Sequence, residues 1–584
     1  MDSKQTKFVV VTGGVISGVG KGVVTASIGK ILKEYGFNIT LIKIDPYINC
    51  DAGTLRPTEH GEVWVTEDGG EIDQDLGTYE RFINVSLSKK NSITTGQVYH
   101  SVIQKERNGE YLGQTVQYIP HITGEIVHRV KQAAEGFDVV VIEVGGTAGD
   151  YENEPFLFAL KSIEREYGPQ SVAHVLVTYL PVPSHIGEMK TKPTQQAIRM
   201  LGEQGIVPDF IICRSKDIID EVRKSKIEAC AHVRADHILS APDIESIYEV
   251  PMLLEKEQLG KKLLHKLGLV GKQEPDWSSW KTYIANTKRP EHVVTIGIIG
   301  KYMAIGNYDL TDTYLSVSHA LLHAGAHQKI GIQIKWIDAK KLELGTSDTV
   351  FDELDACDGL IVPGGFGTEG VEGKIAAISW ARKRNIPYLG ICYGLQLAVV
   401  EYARNLCGLI DAHTTEVNSA TKDPVVTLLE YQTDVLKEKK YGGTMRLGAY
   451  PAQLQPNTKV NELYQVFGNL FGNITAPDGS KMVLERHRHR YEVNPTYISL
   501  LQKHGMTISG MYTRKDGTQL VEYIELANHP FFVATQAHPE FTSRFESPNP
   551  LFIGLVAAAR ERQLVKINSI VSVVDAPGVA QRRL

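Results

Sequence analysis

Residues 8–44 read FVVVTGGVISGVGKGVVTASIGKILKEYGFNITLIKI, and their pattern sets the architecture of the first half of the chain. FVVV at 8–11 and ITLIKI at 39–44 are β-branched runs of strand length. Between them Val24, Ile28, Ile31, Leu32 and Tyr35 recur at helical spacing, and Gly36 is placed to stop the helix. Further strand-like runs follow at 139–144 (VVVIEV), 174–180 (HVLVTYL) and 210–213 (FIIC), so the rhythm predicts an α/β domain with a mostly parallel sheet covered by helices. The polar, proline-containing segment GKQEPDWSSWKTYIANTKRPEH then resembles a linker, and a second βα series begins with VVTIGII at 293–299. It continues through IQIKWI, GLIVP and IPYLGIC to FFVATQ at 531–536. The expected organisation is two doubly wound domains, 1–271 and 293–562, joined by a linker at 272–292 and followed by a frayed tail at 563–584.

A chain of 584 residues exceeds what one core supports, since domains run to ~150 residues. Sixty-two basic against 68 acidic residues leave a net charge of -6, which gives no global attraction to nucleic acid or anionic membrane. The six cysteines, at 50, 213, 230, 357, 392 and 407, lack the paired spacing of a zinc site or a secreted disulfide framework. No run approaches the ~20 apolar residues that span a bilayer, and MDSKQTK leads straight into a strand without a signal core. A cytoplasmic protein is expected.

In the second domain, Gly390-Ile391-Cys392-Tyr393-Gly394 follows an apolar strand and precedes a helical pattern, which is the form of a nucleophile elbow. A thiol at a helix N-terminus holds its thiolate form more readily. Downstream, His538 in QAHPE is suited to act as base and Glu540 to orient its imidazole, two positions on along an extended backbone. Pro363-Gly364-Gly365-Phe366-Gly367 offers unhindered backbone N–H groups for an oxyanion hole together with the Tyr393 amide. The three motifs together resemble a class I glutamine amidotransferase. By motif position that resemblance adds Gly365, Tyr393, Gly394, Leu395, Gln396, Glu416 and Arg490 as glutamine-holding residues.

In the first domain, GGVISGVGKG at 13–22 lies between strand and helix, where bare amides and Lys21 can cradle a triphosphate. It departs from a standard P-loop: the glycine spacing differs, and Gly22 stands where a serine or threonine would hold magnesium. Metal ligands must come from elsewhere, with Asp73, Asp75 and Glu143 as candidates, because hard carboxylates suit Mg2+ and strand C-termini line the crevice of such sheets. Glu143 ends an apolar run, where an acid needs a partner, and Lys43 in LIKIDPY can neutralise a phosphate. Lys190-Thr191-Lys192-Pro193-Thr194-Gln195 presents two ammonium groups on one side of an expected extended turn, suited to a second polyphosphate.

GGVISGVGKG, KIDPYINCDAGT, HGEVWVTEDGGE, VQYIPHIT, EVGGTAGD, KTKPTQ, RHRHRYEVN and QAHPEFTS, in this order from residue 7 to about 560, resemble the CTP synthase family. The resemblance implies ATP-, glutamine- and Mg2+-dependent conversion of UTP to CTP through 4-phosphoryl UTP. It places ATP at Gly18, Val19, Gly20, Lys21, Gly22, Val23, Lys43 and Asp75, and metal at Asp75 and Glu143. It places UTP at Ser17, Lys190, Thr191, Lys192, Pro193, Thr194, Gln195 and Lys226, and feedback-inhibiting CTP at Asp150, Tyr151 and Glu152. It further implies an ammonia channel, a homotetramer, filaments in some members, and activation by GTP. Two departures stand out. Tyr393 and Leu395 replace the family's leucine and methionine, and GFGTEG carries Glu369 where the family often has arginine in a segment linked with GTP, which predicts weakened GTP dependence. Rival readings are another P-loop amidoligase fused to a glutaminase, and a filament scaffold without catalysis. The lysine-rich second site and the complete catalytic set favour the first reading over both.

Overall fold

A computed structural model describes residues 5–56, 60–301, 304–305, 308–309, 311–343, 348–429, 445–468, 474–475 and 481–574. The chain forms two compact units, one of residues 1–54 and 71–279, the other of 55–70 and 280–584.

The first unit is built on seven parallel strands: β1 (Lys7–Gly13), β2 (Ile39–Asp45), β3 (Ser92–Thr94), β4 (Val139–Val144), β5 (Val172–Tyr179), β6 (Phe210–Ser215) and β7 (Ile238–Pro242). Their spatial order is β3-β2-β4-β1-β5-β6-β7. Strands buried on both faces read as continuous apolar runs, and VVVIEV and most of β1 are buried without interruption. Helix α1 (Lys21–Glu34) follows β1, and the register sets Lys43 of β2 opposite Glu143 of β4, itself opposite Val11 of β1.

The second unit contains a ten-stranded sheet. Its parallel part comprises β8 (His292–Gly300), β9 (Ile330–Asp338), β10 (Gly359–Val362), β11 (Tyr388–Ile391) and β17 (Phe532–Thr535). An antiparallel extension adds β12 (Arg446–Leu454), β13 (Ile474–Thr475), β14 (Lys481–His489), β15 (Thr507–Thr513) and β16 (Gln519–Glu525). The order is β9-β8-β10-β11-β17-β16-β15-β12-β14-β13.

Three features differ from the expected organisation. Residues 55–70, expected in the first domain, belong to the second unit, where Trp64 is fully buried against Phe541 at a ring separation of 5.0 Å. The expected linker carries helix Ser278–Lys288, anchored by Trp280, which is buried against Phe545. The expected tail begins as helix: Pro550–Val574 runs on past 562 because Lys566 donates to the Asp355 and Cys357 carbonyls and pairs with Asp358. Residues 575–584 lie outside the described residues. Among the described residues no helix is long and apolar enough to cross a membrane.

Candidate active sites

Three adjacent strands of the second unit deliver three groups to one place. The loop after β10 carries Gly364 and Gly365, β11 ends at Cys392, and the chain leaving β17 carries His538. The Cys392 amide donates to Thr535 O at 2.7 Å, which ties the elbow to the histidine strand. Cys392 has φ 52° and ψ −99°, strained for a residue with a Cβ, and it caps the helix Tyr393–Asn405. Gly390 and Gly394 make the turn possible: a Cβ at Gly394 would lie 2.1 Å from the Val362 carbonyl oxygen. The first amides of that helix have no intrahelical acceptor, so the Tyr393 N–H is open to an oxyanion.

His538 Nδ1 lies 2.7 Å from Glu540 Oε1, a contact made through a 3₁₀ turn at Pro539–Phe541 rather than along an extended strand, as expected from sequence. Its ring stacks on Phe541 at 5.1 Å. Its Nε2 is buried without a hydrogen-bond partner among the described residues. Burial pushes the imidazole down, but the charges of Glu540 and Cys392 outweigh it and raise its pKa to about 10. A Cβ on Gly364 would stand 2.9 Å from His538 Cε1 and 3.7 Å from Cys392 Cβ, so glycine, thiol and imidazole share one wall. Gln536 Nε2 donates to Cys392 Sγ at 3.7 Å.

This wall encloses a cavity of about 420 Å³, lined also by Tyr314, Phe366 and Arg488. Arg488, which sequence reasoning passed over, lines it, whereas Arg490 is not among its lining residues and instead feels the charge of Glu416. Glu416 accepts from the Gly367 amide at 2.8 Å. Tyr393 donates to Gly367 O at 3.2 Å, Gln396 donates to Tyr491 O at 2.9 Å, and Leu395 is core. Glu369 is exposed and pairs with Lys340 at 2.9 Å.

In the first unit the loop after β1 reaches α1 through Gly18 and Gly20, at φ 71° and 91°, conformations that suit glycine. Ser17 and Gly18 are exposed, Val19 is buried, and Val23 is half-buried at the helix start. Lys21 is buried and donates to Gly146 O at 2.7 Å, and burial lowers its pKa. A Cβ at Gly22 would lie 2.4 Å from Asp75 Oδ1, so the missing hydroxyl of a standard P-loop is replaced by a carboxylate held against bare backbone. Lys43 bonds Asp75 closely, contacts Glu143 at 3.1 Å and lies 3.7 Å from Asp45. The predicted partner of Glu143 is therefore Lys43, joined by Tyr79, whose hydroxyl donates to the same carboxylate and which sequence reasoning missed. Burial and neighbouring carboxylates raise Asp45 to about 8 and Asp73 to about 6. This surplus of negative charge fits a divalent cation. Among the described residues no three His, Cys, Asp or Glu side chains converge as a complete metal site. Asp75 and Glu143, the two carboxylates that contact Lys43 here, are hard oxygen donors of the kind Mg2+ takes.

Asp150 accepts from the Thr147 amide at 2.7 Å, leaving Tyr151 and Glu152 exposed beside it. KTKPTQ is not the extended turn expected. Lys192 opens helix Lys192–Glu203 with Pro193 in its first turn, where a missing N–H costs nothing. Lys190 precedes it, paired with Glu188 at 2.8 Å; Thr191 and Thr194 are buried, and Gln195 donates to Thr191 at 3.3 Å. Lys226 is exposed on Glu221–Ala231.

Residues 7–269 match the family model "CTP synthase N-terminus" and 309–558 match "Glutamine amidotransferase class-I". The chain is 49% identical to CTP synthase of Methanocaldococcus jannaschii over 559 residues, 95% of this chain and 99% of that one. It is 48% identical to CTP synthase of Thermococcus gammatolerans over 559 residues, 96% and 99% of the two chains. A solved Trypanosoma brucei CTPS glutaminase domain with bound acivicin is 35% identical over 46% of this chain and 94% of that chain, at a TM-score of 0.40. Motif order, site geometry and near full-length identity agree, and the chain belongs to the CTP synthase family.

Proposed function

We propose that the protein aminates UTP to CTP with ATP as activator and glutamine as nitrogen source. The observation that supports this most directly is the coexistence of a thiol–imidazole–carboxylate set with a lysine-bearing glycine loop whose Gly22 abuts Asp75.

In the second unit the Cys392 thiolate attacks the glutamine side-chain carbonyl carbon. The oxyanion faces the amides of Gly365 and Tyr393, and His538 delivers the proton with which ammonia leaves. Water, deprotonated by His538, then releases glutamate from the thioester. Glu540 holds the imidazole in the required tautomer. Glu416 and Arg490 are assigned to the glutamine amino-acid head.

In the first unit the uracil 4-oxygen accepts the γ-phosphoryl group of ATP, and ADP leaves. Ammonia then adds at uracil carbon 4, and the bond from that carbon to the phosphorylated oxygen breaks to release phosphate. Lys21 and Lys43 position and neutralise the phosphates, which is most of what phosphoryl transfer requires. Mg2+, held by Asp75 and Glu143, supplies further charge neutralisation when bound. Ser17, Lys190 to Gln195 and Lys226 are assigned to UTP, the helix N-terminus at Lys192 favouring an anion. Asp150 to Glu152 are assigned to inhibitory CTP. A cytoplasmic homotetramer completes the reading.

Absorbance during incubation of UTP, ATP, Mg2+ and glutamine with the full chain reports conversion of uracil to cytosine. Cys392→Ala is expected to abolish synthesis from glutamine and keep synthesis from added ammonia, while Lys21→Ala loses both. Normal use of glutamine by the cysteine variant would overturn the assignment.

A further inference from the structure

Lys374 lies on helix Val371–Arg384 and is 0% exposed. Its Nζ donates to Pro363 O at 3.4 Å, and a Cβ built on Gly365 would stand 3.7 Å from the same nitrogen. The Tyr393 ring centroid is 5.7 Å away. Lys374 does not line the Cys392 cavity, whereas Pro363, Gly364 and Gly365 do, so it stands behind the glycine loop.

The far end of this loop is tied by other groups. Lys301 donates to Phe366 O at 3.1 Å and Gly367 O at 3.2 Å, Tyr393 donates to Gly367 O, and the Gly367 amide donates to Glu416. At the Pro363 end, Lys374 is the side chain that bonds the loop among the described residues.

No carboxylate pairs with Lys374 among the described residues; the charged groups that face it are Lys301, which opposes its ammonium form, and Cys392, which favours it. Burial, ahead of these two, brings its pKa down to about 7. A buried cation without a counter-ion is destabilising. The glutaminase cycle supplies the missing negative charge, first as the Cys392 thiolate and then as the oxyanion in front of Gly365.

We propose that Lys374 is a positioning residue of the glutaminase centre, whose ammonium holds the Pro363 carbonyl and meets, from behind the oxyanion loop, the negative charge that develops in the cavity. This rests on Cys392 being the glutamine nucleophile.

The test measures glutamate release by the full-length protein across the neutral and alkaline range for wild type, Lys374→Met and Lys374→Arg. Iodoacetamide alkylation of Cys392 is followed against pH in the same samples, and ammonia-supported CTP formation checks that the variants are folded. Lys374→Met is expected to lose roughly tenfold or more in kcat with little change in the glutamine KM, a transition-state effect. It also shifts the alkylation profile to higher pH, and lacks a wild-type limb in which rate falls as pH rises through the Lys374 titration. Lys374→Arg recovers part of kcat. Wild-type kcat and alkylation in Lys374→Met would overturn the proposal, as would lost kcat with an unmoved alkylation profile and no recovery by arginine, which marks packing alone. If instead wild type releases no glutamate, or Cys392→Ala releases it equally fast, the nucleophile assignment fails.

Discussion

Glu540→Gln keeps the volume of the side chain at the 2.7 Å contact with His538 Nδ1 and removes its charge. Both residues are buried, at 8% and 3% exposure, so solvent screens the pair little. A hydrogen bond to a charged group contributes about 1.5–3 kcal/mol, which corresponds to a roughly 10- to 150-fold fall in kcat for glutamine hydrolysis. If the new amide turns its nitrogen to Nδ1, the imidazole is forced into the tautomer that cannot accept the thiol proton, and the loss grows further. The pH dependence carries a sign. His538 is held above its ordinary value, so the ion pair stabilises fully below about 6.5 and that contribution is lost as pH rises through about 10. In Glu540→Gln the loss moves toward neutral pH. Glutamate release and thermal melting across neutral to alkaline pH measure both effects. A variant within a factor of about three of wild type, with the same pH profile, would refute the reasoning.

Gly22→Ala places a methyl group 2.4 Å from Asp75 Oδ1, so the carboxylate must leave Lys43; the expected result is overpacking of about 1–3 kcal/mol and a raised KM for ATP, read by melting and by ammonia-supported synthesis. An unchanged KM for ATP would show that Asp75 is dispensable there. Glu369 is engaged by Lys340 at an exposed loop that the family resemblance associates with GTP; under the proposed function, Glu369→Arg is expected to increase stimulation of glutamine-dependent synthesis by GTP. A GTP titration in which wild type already responds strongly, or in which the variant matches it, removes that reading.

The sequence was most informative where local physics suffices. β-Branched runs at 8–11, 39–44 and 139–144 have one economical conformation, and all three are strands of one sheet. Glycines around Cys392 and Lys21 announced sharp turns, and at both places the chain passes from a strand into a helix. The H-x-E spacing brought His538 and Glu540 together, although by a 3₁₀ turn instead of a strand.

What required the tertiary structure is what depends on residues distant in the chain. Tyr79 reaches Glu143 across 64 positions, Gly22 approaches Asp75 across the gap between two helices, and Arg488 lines the cavity from the end of β14, which stops at His489, one residue before Arg490. Lys374 read as one more helical lysine. Residues 55–70 carry an aromatic at Trp64 whose burial partner, Phe541, is nearly 500 residues away, so no local pattern could place the segment with the second unit. Periodicity reports which faces are apolar, and glycine reports where backbone must bend. Neither reports which buried charge will meet which other, since that is set only when the strands are brought into register.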